Sequence, residues 1–178
     1  MQREVSASFG VVLERRPSAS KWADWSWSVV DVIADAPATD GWTVLSDEDG
    51  RRRYLSSPHV LELHHKMVDA YDANIETGAP SIWVMLDEVL SGADPAYRVR
   101  GVTADPYEAQ GVLDSAEGIV DRLPMPKATV AWMAKFLASL PEAPAFRKRR
   151  RERLEVEKQI FGKEPIFSPL GRREEREE

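Results

Sequence analysis

Trp25-Ser26-Trp27-Ser28-Val29-Val30-Asp31-Val32-Ile33 decides how the chain is read. Trp25, Trp27, Val29 and Ile33 fall on one side of an extended chain, and Ser26 and Ser28 on the other. Alternation of this kind is the mark of a half-buried strand. The segments around it read the same way. Phe9–Glu14 (FGVVLE) is a short apolar run, closed by Arg15-Arg16-Pro17-Ser18-Ala19-Ser20. Proline cannot donate to a ladder and small polar residues favour a turn, so one strand should end there before the next begins. Trp42–Leu45 and Arg53–Leu55 flank Asp47-Glu48-Asp49-Gly50, and Asp-Gly between β-prone segments signals a hairpin.

Val60–Ile75 fits two periods. Leu61, Leu63, Met67, Tyr71, Ala73 and Ile75 share the odd positions, while Leu63, Met67, Tyr71 and Ile75 also match helical spacing. Strand is the favoured reading, because Thr77-Gly78-Ala79-Pro80 leads directly into the β-branched and aromatic run Ser81–Leu86 (SIWVML). Tyr97–Thr103 alternates again. The first hundred residues therefore read as an antiparallel meander with short connections.

Helices are expected later. Asp105-Pro106-Tyr107-Glu108 has the form of a capping box with proline at the first helical position, starting a helix to about residue 113. Gly118–Leu123 reads as one more strand. From Pro126 to about Leu140, Val130, Met133, Ala134, Leu137 and Leu140 form an apolar stripe, widened by Trp132 and Phe136. The expected fold class is α+β: a twisted antiparallel sheet or partly open β-barrel of about six to seven strands, with two helices in the C-terminal half. Residues 1–145 form the domain and residues 146–178 a charged tail.

The 178 residues carry a net charge of −6, but unevenly. Residues 1–145 hold 13 basic and 22 acidic side chains, residues 146–163 hold 8 and 3, and residues 164–178 hold 3 and 5. An acidic body thus carries a basic segment and a mixed-charge end. Within the tail, Arg147, Arg149, Arg150 and Arg151 form the densest run of charge, and Ile166, Phe167 and Leu170 are apolar residues stranded in a charged tail. The run suits a solvated helix paired to its own glutamates, a protein partner or a phosphate backbone. The acidic body argues against the last. The apolar trio suits a short segment ordered on a partner or packed back on the body.

There is no cysteine, which excludes disulfides, thiolate metal sites and cysteine nucleophiles. No Gly-x-Ser-x-Gly or phosphate-cradling glycine loop occurs. No cofactor is called for. His59, His64 and His65 cluster with Glu62 and are the candidates for a metal or small-ligand site, but His64 and His65 face opposite ways on a strand. Four of six tryptophans precede residue 43. They anchor the first strands or, with Arg15, Arg16, Trp22 and Trp25, make a tryptophan–arginine patch of the kind that binds proteins. With no long apolar run, and no apolar stretch in MQREVSASFG, the expected compartment is the cytoplasm.

An ordered set of phrases adds a resemblance. Gly10-Val11-Val12-Leu13-Glu14-Arg15-Arg16-Pro17 is followed by Trp22, Trp25 and Trp27, then Leu61-Glu62-Leu63-His64. Ala104-Asp105-Pro106-Tyr107-Glu108-Ala109-Gln110 and Val120 to Met125-Pro126 complete it. Over about residues 8–150 the chain resembles a small proteobacterial family classified as a domain of unknown function. Its members are often encoded beside molybdenum-dependent formate dehydrogenase genes and their maturation factors. The resemblance implies a non-enzymatic accessory or assembly role toward such an oxidoreductase and carries no catalytic residues.

Overall fold

The computed structural model describes residues 3–89, 92–116 and 118–141. These belong to one compact unit, Met1–Glu142. A second unit, Ala143–Glu178, lies outside the described residues, as do the tail candidates Arg147, Arg149, Arg150, Arg151, Ile166, Phe167 and Leu170.

Strands β1 (Glu4–Pro17), β2 (Trp25–Ala34), β3 (Thr43–Glu48), β4 (Arg51–Leu55) and β5 (His59–His64) precede helix α1 (Val68–Glu76). Then come β6 (Ser81–Glu88), β7 (Tyr97–Thr103), α2 (Pro106–Ser115), β8 (Ile119–Pro124) and α3 (Lys127–Ala138). All strand pairs are antiparallel, in one five-stranded and one three-stranded sheet. The architecture is α+β, and the sheets do not close into a barrel. The described residues contain eight strands and three α-helices, more than the sequence led one to expect.

The larger sheet is built around β1 and is not a meander. At 14 residues, β1 is long enough to pair with β2 along one edge and with two shorter strands end to end along the other. β4 pairs with Val12–Arg15, and β5 pairs with Glu4–Phe9. Between them Ser56 bridges the gap: its N–H donates to the Val11 carbonyl at 2.9 Å, and its Oγ accepts from the Val11 N–H at 2.9 Å. β3 pairs with the outer edge of β4 and turns into it through Asp49-Gly50, both at positive φ (53° and 74°), as a type I′ hairpin turn demands. The smaller sheet has the order β7-β6-β8.

One core joins the sheets. Phe9, Val11 and Leu13 of β1, Leu61 and Leu63 of β5, and Ile82, Val84 and Leu86 of β6 are buried in it, with Met133 and Phe136 of α3. Each such side chain contributes about 1.5–3 kcal/mol on leaving water. The other face of β1 is also covered, by Val12, Ala36 and Leu55, and a Cβ on Gly10 would meet Ala36 Cβ at 2.6 Å.

The alternation in β2 changes sides partway. Val12 faces Asp31 and Leu13 faces Val29, so Val30 is the extra residue of a β-bulge. Trp27 and Val29 face the core, but beyond the bulge Val32 turns inward and Ile33, expected inside, is 38% exposed. Beside the bulge, the Val29 N–H donates to Asp121 Oδ2 of β8 at 2.6 Å, linking the two sheets where no ladder joins them.

Residues 60–75 are not one strand. Leu61 and Leu63 alternate inward in β5. The 3₁₀ turn His65–Met67 follows, with the His64 Nδ1 accepting from the Lys66 N–H at 3.1 Å. From Val68 the four-residue spacing wins, burying Tyr71 and packing Ile75 on the core. The Tyr71 hydroxyl accepts from the His64 N–H at 3.1 Å, tying α1 back to β5. Buried Asn74 then donates to the Ser81 and Ala104 carbonyls, both at 2.8 Å, and accepts from the Ser81 N–H at 2.9 Å.

The later elements follow the sequence closely. Asp105 caps α2, accepting from Tyr107 N–H and Glu108 N–H, with Pro106 at its start. On α3 the buried stripe is Thr129, Met133 and Phe136; Ala134, expected inside, is exposed because Phe136 takes the centre of the face.

Candidate functional site

The tryptophan–arginine region stands where the ends of β1, β2 and β4 meet. Arg15 lies across from Trp27 and Arg52, and Pro17 across from Trp25. The Arg15 guanidinium carbon lies 4.3 Å from the Trp25 ring centroid and 5.9 Å from that of Trp27, in cation–π range. Arg15 Nη1 also donates to Asp94 Oδ1 at 3.1 Å, in the loop between β6 and β7. The Asp94 carboxylate takes two more bonds, from Arg52 Nη1 at 3.0 Å and from the Tyr54 hydroxyl. Arg52 also pairs with Asp47.

These groups tune one another. Burial raises the Tyr54 hydroxyl pKa, the Asp94 hydrogen bond adds to the rise, and Arg52 offsets part of it. Hydrogen bonds to Asp47 and Tyr54 hold the Arg52 guanidinium more firmly protonated than usual. Beneath them lie aromatic rings: Trp27 is 5.9 Å from both Tyr54 and Tyr97, and Trp42 is 6.4 Å from Tyr54. Trp42 Nε1 donates to the Tyr97 carbonyl at 3.0 Å. Chemically this is a lock in which Asp94 accepts from three donors.

Of the four body residues the sequence singles out, the lock takes Arg15 inward, with a side chain 17% exposed. Arg16 is exposed on the next turn of the pleat. Trp25 is 41% exposed and supported from below by Arg15. Trp22 is 89% exposed, on a connection held by local hydrogen bonds. There Ser18 N–H donates to the Asp24 carbonyl at 3.0 Å, and Trp22 N–H to Ser20 Oγ at 3.2 Å. Sequence reasoning missed Arg52, Tyr54, Asp94 and Tyr97. The Arg51-Arg52-Arg53 run opposite Arg15 was the available signal.

The histidines divide. His64 and His65 stack with ring centroids 4.5 Å apart. His64 Nε2 lies 2.9 Å from Glu4 Oε1, and the Nδ1 already caps the 3₁₀ turn. His65 Nδ1 lies 3.3 Å from the Arg3 carbonyl. His59 stands at the far end of β5, where burial lowers its pKa. Among the described residues no group of three or more His, Asp or Glu is placed to hold a metal ion.

Fold and site together define an antiparallel two-sheet α+β protein with an aromatic–arginine lock on which Trp25 is seated. The chain belongs to the family described as protein of unknown function DUF3305, whose model matches residues 8–150. No curated protein and no solved structure matches the chain. No helix among the described residues is long and apolar enough to cross a membrane.

Proposed function

We propose that the protein is a non-enzymatic accessory protein that works by protein–protein contact. Its partner, on this reading, is a molybdenum-dependent oxidoreductase of the formate dehydrogenase type or its maturation machinery. The observation that carries the contact is Trp22. A tryptophan 89% exposed adds little to the core, yet its connection is held by hydrogen bonds at Ser18 and Ser20. An exposed aromatic close in sequence to Trp25 and Arg16 is the kind of residue on which binding hot spots are built. The non-enzymatic part is supported by the lock itself, whose Asp94, Arg15, Arg52 and Tyr54 engage each other. The partner's identity rests on the resemblance carried by Gly10–Pro17, Leu61–His64 and Ala104–Gln110.

Affinity purification from native cells tests this reading, with the wild-type chain and Trp22→Ala side by side. The oxidoreductase or a maturation factor should co-purify with the wild type and be lost with the variant. Deleting the protein should lower formate dehydrogenase activity. If neither partner co-purifies and activity survives deletion, the proposal fails.

A further inference from the structure

The first residues of β1 have a strand on one side only. β5 pairs with Glu4–Phe9, but on the opposite edge β2 pairs only from Phe9 onward. The reason is Asp35, whose positive φ of 52° turns the chain off that edge and onto the outer face, where Ala36 covers Gly10. No described strand runs alongside Glu4–Ser8 there. An open groove of about 390 Å³ lies beside it instead, lined by Val5 and Ser6 and, from α3, by Trp132, Lys135 and Phe136. Neighbouring residues of a strand point to opposite faces, so a groove that touches both Val5 and Ser6 opens on the edge that β5 does not occupy.

The ladders fix which backbone groups point along this edge. The His65 N–H donates to the Arg3 carbonyl at 2.9 Å, one step beyond the Glu4–His64 pair. Bonded pairs alternate in an antiparallel ladder, so Val5, Ala7 and Phe9 bond to β5, while Glu4, Ser6 and Ser8 direct their groups the other way. The Asp35 N–H donates to the Ser8 carbonyl at 2.9 Å, as that alternation requires. The Ser8 N–H, the Ser6 N–H and carbonyl and the Glu4 carbonyl have no partner among the described residues. Proteins commonly blunt such an edge with proline, lysine or a bulge, and Glu4–Ser8 has none of these.

The free groups are complementary to themselves. Two copies of Glu4–Ser8 laid antiparallel about Ser6 form two N–H···O bonds between the two Ser6 residues. The Ser8 N–H of each copy then meets the Glu4 carbonyl of the other. Val5 of one copy stands beside Ala7 of the other, on the face that packs against the core. Glu4 lies opposite Ser8 and not opposite itself, so no like charges face each other across the pair. We infer that the chain self-associates through this edge, as a two-fold dimer whose larger sheet runs on from one copy into the next. The contact is small, so the dimer is weak and reversible. It involves neither Trp22 nor the arginine lock.

Sedimentation of the full chain between about 10 μM and 1 mM should show a monomer–dimer equilibrium. Ser6→Pro removes an N–H that points away from β5, so it should keep the wild-type circular dichroism and stay monomeric. Residue 6 faces its own copy across the two-fold axis, so charge there acts on itself. Ser6→Asp and Ser6→Lys should each dimerise at least about tenfold more weakly than wild type, while their one-to-one mixture dimerises at least as well as wild type. Trp22→Ala should dimerise as wild type does. A wild-type chain that stays monomeric to about 1 mM overturns the inference and leaves the edge to a strand of another protein. Dimers that persist unchanged in both charged variants, or a mixture that gains nothing over them, place the contact elsewhere and overturn it as well.

Discussion

The Arg15 guanidinium is gripped between the Trp25 ring, 4.3 Å from its carbon, and the Asp94 carboxylate, 3.1 Å from Nη1. The contact joins β1 to a loop of the other sheet, and it fixes the tryptophan that stands above. Arg15 Nε is buried and makes no hydrogen bond among the described residues. Arg15 therefore acts as a positioning residue for Trp25.

Replacing Asp94 removes the shared acceptor of Arg15, Arg52 and Tyr54. Arg52 is open to solvent and its pair adds little. The Tyr54 hydroxyl and Arg15 are better shielded, and orphaning them should cost about 1–3 kcal/mol in Asp94→Ala, read from urea unfolding. The cost of Arg15→Met in the Asp94→Ala background should fall below its cost in wild type, since the two act through one contact. Additive costs would show that the lock is not a unit.

Gly10 stands where the outer face of β1 is closed by Ala36 and Leu55. A Cβ would come within 2.6 Å of Ala36 Cβ and 2.8 Å of Leu55 Cδ1. The leucine tip can turn, but the alanine Cβ moves only with its backbone. Gly10→Ala should therefore destabilise by about 1–3 kcal/mol, although alanine is otherwise the better strand residue. Pairing it with Ala36→Gly should recover part of the loss. Thermal unfolding of the three variants checks both statements.

Local patterns were legible where a strand kept its register or a helix carried its own cap. Asp105-Pro106 announced α2, Asp49-Gly50 announced the β3–β4 turn, and Leu61 and Leu63 announced β5. The Val30 bulge was not legible, because one inserted residue reverses every later side chain without altering composition, and Ile33 was placed inside for that reason. The switch from strand to helix near His65 was masked because Leu63, Met67, Tyr71 and Ile75 satisfy both periods. The lock was illegible for another reason. Arg15 and Asp94 are 79 positions apart, and only the central place of β1 brings them together. Trp22 was legible as a candidate by type and neighbours, but its exposure depended on where β1 ended.

His59 gives the fold an acid-side dependence. Burial lowers its pKa below the ordinary value near 6.5, so the folded state favours the neutral ring. Above about pH 6.5 both states hold it neutral and its contribution is constant. As pH falls below that value the unfolded chain takes up the proton first, and stability declines until the folded-state pKa is reached. His59→Gln should flatten this limb, narrowing the difference in urea midpoint between about pH 7.5 and pH 5. An unchanged difference would assign the acid limb to other groups.

Asn74 is a buried polar residue that ties two strands together. It is 1% exposed, and its amide serves the start of β6 and the end of β7 at once. Asn74→Leu removes two donors and an acceptor, and leaves the Ser81 N–H without the partner it has at 2.9 Å. Buried backbone groups left unsatisfied cost about 1–3 kcal/mol each, so this variant should lose more than Asp94→Ala. Asn74→Asp separates the terms. It keeps the acceptor for Ser81 N–H but turns the donors toward the Ser81 and Ala104 carbonyls into a carboxylate, which repels them when ionised. Its stability should recover as pH falls and the carboxyl gains a proton to donate. Urea unfolding of Asn74→Asp at about pH 5 and pH 7.5, against wild type at each, reads that recovery. If Asn74→Asp instead weakens in step with wild type toward acid, the carbonyl contacts are not what the amide supplies.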